Sequence, residues 1–156
     1  MTALPAAEQP RSAPHAIRTV LLATDLGRAS ADAATRAIEL AAQLRAELLI
    51  LSVIDDVQTR GRGVALRRVD QVRERHHSVA QAIVLDARLA GVVARFLIWQ
   101  GEPGESITAA AESEDCDLIV MGTHGRTGFR RSVAGSVSDY VIRNARCPVV
   151  VVRPAA

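Results

Sequence analysis

From Gly122 the chain reads Gly122-Thr123-His124-Gly125-Arg126-Thr127-Gly128-Phe129-Arg130-Arg131-Ser132-Val133-Ala134-Gly135-Ser136-Val137-Ser138, a composition suited to gripping an anion with backbone rather than with side chains. Glycines at Gly122, Gly125 and Gly135 permit positive φ and let peptide N–H groups approach a phosphate with no Cβ in the way. Ser136, Val137 and Ser138 open a helical pattern whose positive end and unpaired N–H groups attract negative charge. Each contact of this kind contributes only ~0.3–2 kcal/mol. Micromolar affinity, about −8 kcal/mol, therefore requires several contacts together with burial of something apolar, such as an aromatic base. Arg126, Arg130 and Arg131 stand within the loop as candidate phosphate cations, with Arg126 preferred. His124 has no neighbouring Ser, Cys or carboxylate to complete a triad, so it is assigned to positioning the loop rather than to catalysis. Asp25 is the carboxylate most suited to a ligand, although it also fits a turn or a helix cap.

Short apolar runs alternate with helical patterns along the chain. Thr19 to Thr24, Glu47 to Ile54, Arg95 to Trp99, Asp117 to Met121 and Pro148 to Val152 read as strands. They lack polar–apolar alternation, which marks strands covered on both faces. Between them lie helical patterns at Ser30 to Leu44, with Ala34, Ile38, Ala41 and Leu44 on one stripe, and from Leu66, with Val69, Val72, Val79, Ile83 and Ala87 on another. Glu105 to Ser113 and Ser136 to Asn144 supply two more helices, and His76 and His77 are placed on a solvated helix face. The expected fold is α/β: a doubly wound five-stranded parallel sheet in order 3-2-1-4-5 with helices on both faces. Ligands in such folds bind outside the carboxyl ends of strands where the winding reverses, here at Thr24-Asp25 and Met121-Gly122.

Composition removes several alternatives. At 156 residues, with 49% hydrophobic and 23% charged residues, the chain is expected to form one domain over 17–153 behind a disordered leader at 1–16. The leader has no signal-peptide core and no run reaches membrane-spanning length, so the expected location is cytoplasmic, without membrane association. All nineteen basic residues are Arg. Without Lys there is neither a P-loop of the usual kind nor Schiff-base chemistry. A net charge of +2 and 3% aromatic residues argue against nucleic-acid binding, and the Arg-rich stretch 60–75 reads as a helix flank with Asp70 and Glu74 as partners. Cys116 and Cys147 lie in no metal or CxxC pattern, and no metal ligand is assigned.

Gly122, two residues, Gly125, nine residues, Gly135 and Ser136 resemble the ATP-binding signature of the universal stress protein family. Thr24-Asp25, Ser52-Val53-Ile54-Asp55, Gly101-Glu102-Pro103 and Cys147-Pro148-Val149-Val150-Val151-Val152 are similar to further stretches of that family, so the resemblance spans roughly Ile17 to Arg153. It implies ATP, accompanied by Mg²⁺, with Ala23, Thr24 and Val53 around adenine and Asp25 on the ribose or a phosphate-bound metal. It places Met121, Gly122 and Gly125 near ribose and phosphates, and Gly135, Ser136, Val137 and Ser138 at the phosphate tail. It also implies a stress-response binder without dedicated catalysis beyond slow hydrolysis, whose nucleotide orders the loop and modulates an unidentified protein partner. A homodimer through the C-terminal edge strand is expected as well, since an apolar unpaired edge invites association. The alternative is a nucleotide-free dimeric interaction module of the same fold. Leu26-Gly27 departs from the family, whose members more often carry a small hydroxyl residue near Asp25.

Overall fold

A computed structural model describes residues 15–25, 27–55, 66–123 and 135–154. Strands β1 (Thr19–Thr24), β2 (Glu47–Asp55), β3 (Ala94–Gly101), β4 (Leu118–Gly122) and β5 (Val149–Val152) alternate with helices α1 (Arg28–Leu44), α2 (Leu66–Leu89), α3 (Pro103–Ser113) and α4 (Ser136–Asn144). All strand pairs are parallel, and the sheet order is β3-β2-β1-β4-β5. This is the order expected from the sequence, and it places the reversal of winding between β1 and β4.

Strand residues alternate between two apolar layers, which explains why the sequence shows no polar face. Val20, Leu22, Leu48, Ile50 and Val120 pack under α1 and α2 against Ala33, Ala37, Ala41, Ala80, Ile83 and Ala87. Leu21, Leu49, Leu51, Ile119 and Met121 point the other way, against Ile107, Ala110 and Ala111 of α3 and Val141 of α4. Alanines on the inner face of α1 let the helix approach the sheet closely. The stripe expected there shifts accordingly: Ala33, Ala34, Ala37 and Ala41 are buried, whereas Leu44 is 41% exposed. Alanine carries too weak a hydrophobic signal to reveal its own face.

Local chemistry sets the element ends. Helix α1 stops at Arg45, which adopts the left-handed conformation (φ 55°) and donates its N–H to the carbonyls of Ala41 and Ala42. Helix α3 begins two residues earlier than expected because Glu102 caps it: its carboxylate accepts from the N–H of Gly104 (3.1 Å) and Glu105 (2.7 Å), with Pro103 in the first turn. At the amino ends of the strands, Asp117 accepts from the N–H groups of Arg18 (2.8 Å) and Thr19 (3.0 Å), tying β4 to the start of β1.

Candidate functional site

Burial of polar groups is concentrated at one end of the molecule. The buried polar side chains among the described residues are Thr24, Ser30, Ser52, His76, Thr123 and Ser138. They stand at or beside the carboxyl ends of β1, β2 and β4, or in helical turns packed against those ends. Burying a polar group is unfavourable unless a partner is supplied, so such a concentration in an otherwise aliphatic core marks the end where the chain does something other than pack.

The strand register assembles the predicted residues. Ala23 pairs with Met121 across β1 and β4, and Thr24 pairs with Ser52 across β1 and β2. Val53, the next residue of β2, pairs with Trp99 of β3. Ala23, Met121, Val53 and Trp99 belong to the layer facing α3 and α4, so an apolar floor runs across four strands. Asp25 follows directly from β1, and Gly122 closes β4.

Helix α4 begins beside the end of β4. Gly135 is its N-cap at φ 78°, ψ 159°, and a Cβ at that position would stand 2.7 Å from the backbone oxygen of Thr123. The positive φ and the close approach both demand glycine. The contact seats the N-terminus of α4 against the end of β4. Ser136 is exposed, Val137 is half-buried and Ser138 is buried. The Ser138 hydroxyl donates back to the Gly135 carbonyl at 3.2 Å within the first turn of α4. Predicted residues His124, Gly125 and Arg126 lie outside the described residues.

Asp25 does what a turn-former does and keeps something in reserve. Its Oδ1 accepts from the Gly27 N–H at 2.9 Å and from the Ser30 hydroxyl, while its own N–H donates to Ser30 Oγ at 3.1 Å. Sequence reasoning missed Ser30. The available signal was a hydroxyl residue five positions after Asp25, in the first turn of α1. Thr123 was also missed as a site residue: it is 3% exposed and its Oγ1 finds no hydrogen-bond partner among the described residues. A third omission corrects the placement of His76. Rather than facing solvent, it is 1% exposed, with Nδ1 2.5 Å from the fully buried Ser52 Oγ. The helical period places His76 four residues before Ala80 and seven before Ile83, on the inner face; its polarity concealed that position. His77 does face outward, edge-on to Phe96 at 5.0 Å.

Residues 16–153 match the universal stress protein family. The chain belongs to it. A curated relative, universal stress protein MJ0531 of Methanocaldococcus jannaschii, is 32% identical over 146 residues, covering 92% of this chain and 86% of that protein. Among solved structures, that of protein MJ0577 from the same organism superposes with a TM-score of 0.79 at 25% identity, covering 90% of this chain and 98% of that one. A universal stress protein in complex with cAMP superposes with a TM-score of 0.69 at 23% identity, covering 90% and 99%. In this universal stress protein Gly135 sets the start of α4 against the end of β4.

Proposed function

We propose that this universal stress protein binds ATP, accompanied by Mg²⁺, at the carboxyl ends of β1 and β4. The observation that carries the reading is Gly135 seated against Thr123, which brings the N-terminus of α4 to the end of β4, next to the point where the sheet reverses. Helix N-termini favour phosphate, and half-buried Val53, in the same apolar layer as the buried Ala23 and Met121, offers apolar surface to an adenine ring. Thr123 Oγ1, buried and without a partner among the described residues, is a polar group of the kind a ligand satisfies. The known complex of a family member with cAMP supports the nucleotide class. Occupancy biases a partner-binding surface carried by α4 through its differential affinity for two conformations. The protein acts in the cytoplasm as a stress-response binder, and the half-buried valines of β5 pair with their copy in a homodimer.

The test is isothermal titration of the purified protein with ATP and MgCl₂, preceded by mass spectrometry of the denatured sample for co-purified nucleotide. Binding near one ATP per chain supports the reading. Folded protein with neither bound nor titratable nucleotide would move the assignment to the nucleotide-free interaction module. Trp99, the single tryptophan, lies beside Val53 in the β2–β3 register and provides an independent fluorescence readout.

A further inference from the structure

We infer that Ser30 positions Asp25 so that a single carboxylate oxygen, Oδ2, accepts a hydroxyl of the nucleotide's ribose, making Ser30 a specificity-determining residue that never touches the ligand. The inference rests on the nucleotide reading above and assigns the role that Asp25 plays within it. Oδ1 is already engaged by two donors, the Gly27 N–H at 2.9 Å and the Ser30 hydroxyl. Ser30 Oγ closes the ring by accepting from the Asp25 N–H at 3.1 Å, and the Ser30 N–H donates to the Gly27 carbonyl at 3.1 Å. Ser30 is 6% exposed, so water does not readily replace its hydroxyl. Gly27 contributes by its lack of a side chain, since a Cβ there would stand 3.0 Å from Asp25 Oδ1. The carboxylate is thereby held at one oxygen, and Oδ2 has no hydrogen-bond partner among the described residues.

Two features favour a hydroxyl over a metal ion as the partner of Oδ2. Asp25 stands at the N-terminus of α1, whose N-cap is Gly27, and the field of a helix N-terminus opposes a full positive charge more than it opposes a neutral donor. Oδ1 already accepts two donors, so bidentate metal binding would have to displace at least one of them. An ionised acceptor that is held in place makes a strong hydrogen bond, because the ordering that such a bond requires has been done in advance.

The experiment compares ATP with 2′-deoxy-ATP and 3′-deoxy-ATP by titration, in EDTA and again in MgCl₂, for the parent, Ser30→Ala and Ser30→Thr. The parent is expected to prefer ATP over at least one deoxy analogue by about tenfold, the effect of one hydrogen bond to a charged group. Ser30→Ala should lower that ratio to below about threefold, and Ser30→Thr, which keeps the hydroxyl, should restore it. A ratio of two affinities within one variant is insensitive to general destabilisation. An unchanged ratio in Ser30→Ala, with ATP still bound by the parent, overturns this inference alone. A Ser30→Ala effect confined to the Mg²⁺ dependence overturns it in favour of a metal contact. A folded parent that binds no nucleotide overturns both this inference and the reading beneath it.

Discussion

At the scale of single residues, the site depends on backbone geometry more than on unusual side chains. Gly135→Ala should be among the most damaging single-atom-group changes in the molecule. It adds a Cβ 2.7 Å from the Thr123 oxygen at a φ of 78°, for a strain of ~1–3 kcal/mol. Relief of that strain lifts α4 off β4, so urea denaturation should show lower stability and titration should show ATP affinity falling by at least about tenfold. Retained affinity would detach the phosphate site from this contact. A second residue-scale prediction concerns Cys116, just before the amino end of β4. Burial, reinforced by nearby Cys147, pushes its thiol from 9.0 up to about 12. Cys147 is likewise raised, chiefly by burial. Above about pH 9 the unfolded chain has released these protons while the folded chain retains them, so folding stability falls as pH rises from about 9 towards 12. Denaturation curves at pH 8, 9 and 10 should show the decline, and Cys116→Ala should flatten it. Native Cys116 should also resist thiol reagents at pH 8, since its thiolate is scarce.

At the scale of elements, the position of α4 is set by α3 as well as by Gly135. Gly104, in the first turn of α3, is buried against Tyr140 of α4: a Cβ there would lie 2.7 Å from Tyr140 Cδ1 and 3.1 Å from its Cβ. The contact involves the root of the Tyr140 side chain, so the ring cannot simply swing away. Gly104→Ala should therefore cost about 1–3 kcal/mol by overpacking. Adding Tyr140→Ala should recover part of it, giving a coupling in a double-mutant cycle well beyond the additivity error of about 0.5 kcal/mol. Additive effects would mean that the two helices are not in the register described. The element scale also shows what was legible and what was not. Helix α4 was readable to its boundaries at Ser136 and Asn144 because Gly135 and the serines punctuate it. The inner faces of α1 and α2 were less readable: Ala33 and Ala37 are buried through small size, and His76 is buried because Ser52 supplies a partner. Neither reason is visible in a hydrophobic period.

At the scale of the whole molecule, β5 is the edge through which two copies are proposed to pair. The N–H groups of Ile119 and Thr123 donate to the carbonyls of Pro148 and Val152, so even-numbered residues of β5 direct their backbone groups at β4. Strand alternation then turns the N–H and C=O of Val149 and Val151 outward. Val151→Pro removes an outward donor while sparing the ladder to β4. Sedimentation analysis should find the parent dimeric and the variant shifted to monomer with its fold intact by circular dichroism. A monomeric parent, or a variant that dimerises as well as the parent, would exclude this edge as the interface.

The sequence by itself determined the strand–helix alternation, the doubly buried character of the strands and the glycine spacing after β4. These follow from local periodicity and from the conformational freedom of particular residue types, which neighbours along the chain are enough to specify. The sheet order was also within reach, because right-handed crossovers and buried parallel strands leave few arrangements. Only the tertiary structure decided which carboxylate oxygen of Asp25 remains open, that the Ser138 hydroxyl bonds back to the Gly135 carbonyl, that Thr123 is buried at the end of β4 and that His76 meets Ser52 inside the core. Each of these depends on the direction of a hydrogen bond or the closeness of two backbones. Such relations arise between segments that the chain brings together only when it folds, so composition and spacing carry no record of them.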